Sequence, residues 1–95
     1  MAKLNLELPS NQAEWDQLAP VILRTHMTLA GMNYVDLAER LGQLGMKTDN
    51  KALSTKMRIG KFSATFFLRA LIACGVQEVT LPASREGNQK MQKHQ

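Results

Sequence analysis

Apolar and polar residues alternate strictly over residues 3–8, where leucine occupies every second position before Pro9 ends the run. This period of two predicts a short N-terminal strand. Residues 76–81 predict a second short strand, for which the first is the simplest partner. That pairing would join the two ends of the domain within one chain or between two subunits.

The first helix is predicted after Ser10 or Asn11, either of which can cap it, and before Gly31, where apolar residues at near-helical spacing stop. Pro20 lies inside this run. Because proline lacks a backbone donor and disfavours helix before it, we expect the helix to be split or kinked after residues 18–19.

Two further helices follow from capping signals. Asn33 with Asp36 three residues later resembles a capping box, and Gly45 ends the second helix. Its apolar stripe consists of Tyr34, Leu37, Ala38, Leu41 and Leu44. Thr48 or Asp49 caps a third helix over about residues 49–59, which Gly60 ends.

The fourth predicted helix begins at Ser63 as its N-cap and ends near Gly75. Phe62 and Phe67 flank the cap at the spacing of a hydrophobic staple. A broad apolar stripe on this helix comprises Phe66, Phe67, Ala70, Leu71 and Cys74. The pattern as a whole predicts a mainly α domain of four to five helices with short terminal strands, occupying residues 1–81, and a flexible basic tail over residues 82–95.

Charge distinguishes the third helix from the others. Residues 47–69 hold six basic side chains and one carboxylate, Asp49, a net charge of +5 where the whole chain carries +4. On a helical wheel Leu53 and Met57 face one side, and the opposite side carries Lys51, Thr55 and Arg58. A solvated cationic face would explain the wheel alone, but the scarcity of carboxylates favours a polyanionic partner.

This arrangement is typical of a helix that reads DNA, because one helix supports another whose cations and short polar groups enter the major groove. A membrane surface fits less well, since the few strong apolar residues of this helix are needed for the core. The candidate DNA-binding residues are Lys47, Asn50, Lys51, Ser54, Thr55, Arg58 and Lys61.

The sequence contains two motifs that span the predicted helices. They are G-x-x-Y-x-x-L-A-x-x-L over residues 31–41 and K-x-x-x-G-x-F-S-x-x-F-x-x-x-x-L-x-x-x-G over residues 56–75. With them, residues 20–76 resemble a bacterial domain family of unknown function. The matching positions are Gly31, Tyr34, Leu37, Ala38, Leu41, Lys56, Gly60, Phe62, Ser63, Phe66, Leu71 and Gly75. That family looks similar in turn to the lambda-repressor-like helix-turn-helix class, although the connection QLGMKTDN is about six residues longer than that class implies.

The leading hypothesis is therefore a sequence-specific DNA-binding transcriptional regulator, a repressor by the resemblance, acting on double-stranded DNA as a homodimer. The alternative is a protein-interaction module, such as a phage- or plasmid-type inhibitor or adaptor, on the same scaffold without DNA binding. Met27, Met32 and Met46 would then be adaptable surface contacts, although core filling is their more ordinary use. A ribbon-helix-helix repressor, reading DNA through Lys3, Asn5 and Glu7, is the rival fold, but it leaves the third and fourth helices unexplained.

Other functions find little support in the sequence. Cys74, His26 and His94 do not form a zinc ligand set, so no metal or cofactor is expected. Ser63 or Cys74 paired with His26 is better explained by capping and core packing than by catalysis, which argues against an enzyme. The apolar stretches are too short to span a bilayer and the N-terminus lacks a signal-peptide core, so the expected location is cytoplasmic.

Overall fold

The chain folds into four helices. A computed structural model describes residues 8–82 and places α1 at Gln12–Ala30, α2 at Tyr34–Gln43, α3 at Asn50–Ile59 and α4 at Ala64–Ala73. Helix α2 packs against both α3 and α4, and α1 packs against α4. The shared core comprises Ile22, Leu23, Met27, Leu37, Leu41, Leu53, Met57, Phe66, Ala70, Leu71 and Ala73. The domain is thus mainly α-helical, as the apolar periodicity predicts.

Each helix begins at a polar cap that the sequence predicts. Asn11 caps α1, and Asn33 forms the complete capping box of α2 with Asp36. Asp49 caps α3, and Ser63 caps α4 by accepting the backbone N–H of Phe66 at 3.0 Å. These caps satisfy backbone donors that the first turn of a helix leaves free, which is why short polar residues mark the starts reliably.

The end of α4 shows why the predicted strand over residues 76–81 is wrong. Gly75 donates to the Ile72 carbonyl at 2.9 Å and Val76 to the Leu71 carbonyl at 3.0 Å, the paired bonds of a Schellman motif. Val76 then packs against the core. Residue 76 is therefore used to close the helix, and no strand forms within residues 8–82. The predicted N-terminal strand lies, apart from Leu8, outside the described residues.

The same motif ends α1 and α2, and it determines where the side chains of Met32 and Met46 pack. Met32 donates to the Met27 carbonyl at 2.9 Å after α1, and Met46 donates to the Leu41 carbonyl at 2.8 Å after α2. Both side chains pack against the core, while Met27 itself is buried. Core filling, the more ordinary use of methionine, therefore applies to these side chains, because a Schellman motif turns the residue after its glycine back onto the helix it ends.

Helix α1 is continuous through Pro20, so the predicted split is wrong. Proline at this position removes the N–H that would bond to the Asp16 carbonyl, one turn earlier. That carbonyl lies instead against Gly60 at the end of α3, and Pro20 is buried beside the same glycine. The carbonyl that proline leaves without its helical donor thus lies at the contact between α1 and the end of α3.

None of these four helices combines the length and apolar character needed to cross a membrane.

Candidate nucleic-acid interface

Helix α3 is anchored by one face and presents the other to solvent. Leu53 and Met57 are 0% and 2% exposed in the core, one turn apart on the inner side. Lys51, Thr55 and Arg58 are all exposed. At 100° per residue these three lie within about 60° of one another, and at 1.5 Å per residue they extend about 10 Å along the helix. The wheel predicted this division.

The remaining predicted contact residues extend that surface at both ends. Asn50 and Ser54 are exposed on α3 itself, Lys47 precedes the helix and Lys61 follows its C-terminal glycine. We call the exposed set Lys47, Asn50, Lys51, Ser54, Thr55, Arg58 and Lys61 the α3 surface. All seven side chains are accessible to a large ligand, and four of them are cationic.

The single carboxylate of this region has a structural role. Asp49 accepts the backbone N–H of Ala52 at 2.8 Å and so begins α3. Its charge also interacts favourably with the positive end of the helix dipole. The Asp49 carboxylate is therefore held at the start of α3 by its hydrogen bond to Ala52.

Lys56 differs from the other cations of α3 because it is half-buried. Its Nζ lies 5.1 Å from the centre of the Phe66 ring, in cation–π geometry. Phe62 meets the same ring edge-on at 5.0 Å. Lys56 thus contributes to the contact between α3 and the start of α4. A count of basic residues in the sequence does not reveal this difference in environment.

The C-terminal end of α3 is held by a close backbone approach that the sequence did not predict. Gly60 has a φ of 84°, and a Cβ placed on it would lie 2.7 Å from the Asp16 carbonyl oxygen and 3.4 Å from Cγ of Pro20. A hydrogen of Gly60 fills that direction instead, toward an oxygen that lacks its usual helical donor. The only sequence signal for this contact is Pro20, whose position inside a helix leaves the Asp16 carbonyl without its usual helical donor.

The two candidate nucleophiles, Ser63 and Cys74, have structural roles. The Ser63 hydroxyl accepts the N-cap hydrogen bond of α4. Burial raises the pKa of the Cys74 thiol, an effect that nearby Arg40 partly opposes. Within residues 8–82, no group of three or more histidine, cysteine, aspartate or glutamate side chains is arranged to hold a metal ion. The α3 surface, with four exposed cations, has a charge suited to an anionic partner.

Comparison with known proteins gives a family and no activity. Residues 15–79 match the family described as a domain of unknown function, DUF6471, and the chain belongs to that family. No curated protein and no solved structure matches the chain.

Proposed function

We propose that this DUF6471 domain is a sequence-specific DNA-binding transcriptional regulator, a repressor, that acts as a dimer and places α3 in the major groove. The observation that carries the proposal is the division of α3. Leu53 and Met57 are almost fully buried, while the opposite side presents exposed cations with short polar side chains between them. A buried apolar side fixes the helix to the domain, and the cationic side matches the charge of the DNA backbone.

The proposed roles follow from the chemistry of each side chain. Lys51 and Arg58 can donate to guanine O6 and N7 or to phosphate, and the hydroxyls of Ser54 and Thr55 suit base edges or backbone oxygens. Asn50 can serve either purpose in the first turn. Lys47 and Lys61 lie outside the helix at its two ends, where phosphate contacts would fix the register of α3 along the groove.

Assignment of α2 and α3 to the lambda-repressor-like helix-turn-helix class forms part of the proposal. Its support is that α2 packs on α3, that Leu37 of α2 is fully buried, and that Gly60 ends α3 as the resemblance implies. The connection consists of residues 44–49, which is shorter than the stretch QLGMKTDN expected from the sequence. We assign the α3 surface as the contact region without transferring a base code.

Fluorescence anisotropy with a labelled duplex selected from a random library tests the proposal. We expect binding that weakens steeply with salt, with a slope of log K against log salt of roughly −3 to −4 per domain if four cations contact phosphates. Lys51→Ala or Arg58→Ala should weaken specific binding by about 5- to 150-fold, equivalent to about 1–3 kcal/mol, if the residue reads a base.

Lys56→Gln is a matched control, since it removes one positive charge from the same helix at a half-buried position. It should change affinity for the selected duplex much less than Arg58→Ala does. If no salt-sensitive duplex binding occurs at micromolar protein, or if the two variants weaken it equally, the proposed role of the α3 surface is wrong.

One observation supports a second candidate, a protein-interaction module. Leu68 and Ile72 are 58% and 60% exposed and lie one turn apart on α4, so they form a small apolar face suited to a protein partner. Loss of a defined, stoichiometric partner in Leu68→Glu, together with no duplex binding by the wild type, would favour this candidate over the first.

A further inference from the structure

Two shallow clefts that meet at Val21 lie along the solvent-exposed part of α1 and reach Leu18, which is half-buried at the edge of the core. One cleft, of about 520 Å³, is lined in part by Pro9, Ala13 and Leu18. The other, of about 310 Å³, ends at Leu29. Leu29 is 61% exposed and Val21 is 38% exposed. We call this surface, which follows α1 from Pro9 to Leu29, the α1 strip.

The α1 strip carries a negative charge in its N-terminal cleft and a positive charge in its C-terminal cleft. Glu14 lines the first cleft and accepts hydrogen bonds from the Ser10 backbone N–H at 2.8 Å and the Ser10 hydroxyl at 3.0 Å. These bonds lower the pKa of Glu14, which keeps the carboxylate ionised. Arg24 lines the second cleft and is exposed. A surface with this polarity is complementary to a copy of itself in the reversed direction.

The apolar and charged positions agree on one register. When Leu18 of one α1 lies opposite Val21 of an antiparallel second α1, each Glu14 falls opposite Thr25, one residue from Arg24. In the same register Leu29 lies just beyond the start of the second α1, next to the segment in which Pro9 lines the first cleft. This single alignment places Leu18 against Val21 and brings each Glu14 near Arg24 of the other copy.

We propose that the α1 strip binds the α1 strip of a second copy of this chain, antiparallel across a two-fold axis. Val21 and Leu18 form the centre of the interface, Leu29 of each copy enters the cleft beside Pro9 of the other, and two Glu14–Arg24 pairs fix the direction. The interface supplies the dimer that the proposed function requires, and its formation does not depend on DNA.

This interface leaves the α3 surface accessible. Helix α3 ends against Asp16 and Pro20, and Pro20 is buried on the core side of α1. The α1 strip is on the side that faces solvent, so a second copy bound there approaches α1 away from its contact with Gly60. Each copy therefore retains an exposed α3 in the dimer.

Sedimentation equilibrium of the full chain across the micromolar range tests the interface without DNA. We expect a reversible monomer–dimer equilibrium that Val21→Glu shifts to monomer by at least tenfold in Kd, because it places like charges at the two-fold axis. Val35→Glu is the matched control: Val35 is 59% exposed on α2, outside the strip, and its variant should dimerise as the wild type does.

Charge reversal tests the direction of pairing. Arg24→Glu should weaken dimerisation by bringing two carboxylates together, and adding Glu14→Arg in the same chain should restore it. Glu14→Arg also removes the bonds to Ser10, so thermal melts by circular dichroism must first show that each variant folds. Rescue by the double variant supports the antiparallel register, while further weakening overturns it.

The outcomes separate this inference from the proposed function. A wild-type chain that stays monomeric at all concentrations, or a Val21→Glu variant that dimerises normally, overturns the interface even if duplex binding is found. A dimer that Val21→Glu dissociates but that never binds duplex supports the interface and overturns the DNA-binding proposal. Monomeric Val21→Glu that still binds a half-site duplex supports both.

Discussion

Substitution of Gly60 by alanine should destabilise the domain more than the same change at another glycine of similar backbone conformation. Two costs arise at Gly60. Its φ of 84° lies in the left-handed region, where a Cβ is unfavourable. The new methyl group would also lie 2.7 Å from the Asp16 carbonyl oxygen, which belongs to the backbone of α1 and cannot rotate away.

The magnitude follows from adding these two costs. Left-handed geometry costs an alanine about 1–2 kcal/mol. Relieving the overlap requires α1 and the end of α3 to separate, and forced overpacking typically costs about 1–3 kcal/mol. The expected loss in the free energy of unfolding is therefore about 2–5 kcal/mol, a large part of the roughly 5–15 kcal/mol available to a small domain.

Gly75 provides the matched control. Its φ is 81°, and a Cβ placed there meets no atom within 4 Å. Gly75→Ala should thus pay only the backbone cost of about 1–2 kcal/mol. Urea unfolding followed by far-ultraviolet circular dichroism measures both variants, with unchanged m values showing that the comparison is valid. Equal destabilisation by the two substitutions would refute the close contact between α3 and α1.

Three further changes test single side chains. Asp49→Ala should cost about 1 kcal/mol by removing the cap of α3, whereas Asp49→Asn should retain stability in the same urea assay; both should strengthen duplex binding by removing a negative charge, and weaker binding by both would contradict the α3 surface. Because hydrogen bonds from Ser10 lower the folded-state pKa of Glu14 below its ordinary value of 4.5, its stabilising effect is present above that pH and is lost as the pH falls through the lowered folded pKa. Glu14→Gln should therefore reduce the loss of thermal stability on acidification, and an unchanged profile would show that these bonds add no stability. Burial raises the pKa of Cys74, so iodoacetamide should alkylate the native thiol more slowly than the urea-unfolded thiol at equal pH, and equal rates would contradict its shielding.

The sequence predicted those features that depend on local chemistry. Helix starts at Asn33 and Asp49 follow from a side-chain acceptor meeting a free backbone donor within one turn. The wheel likewise separated buried Leu53 from exposed Arg58, because helical periodicity alone decides which residues share a face.

Features that depend on contacts distant in the sequence were not predicted. Pro20 was expected to split or kink α1, and the helix is continuous. Local rules also cannot show that Gly60, forty residues later, packs against the carbonyl that proline leaves free. The predicted strand over residues 76–81 failed for a related reason. A strand requires a partner, whereas Val76 gains a hydrogen bond and core contact directly at the end of α4.

The connection between α2 and α3 bears directly on the proposed DNA binding, because a long flexible connection would have to be ordered when the helix docks. Met46 packs on the core at one end of residues 44–49, and Asp49 caps α3 at the other. At its far end α3 is held by the contact of Gly60 with α1. Helix α3 is thus fixed at both ends before any ligand arrives, and little of the binding free energy needs to be spent on ordering it. In the proposed complex the direction of α3 in the groove follows from the packing of this domain, which is why the bases that α3 would contact have to be found by duplex selection.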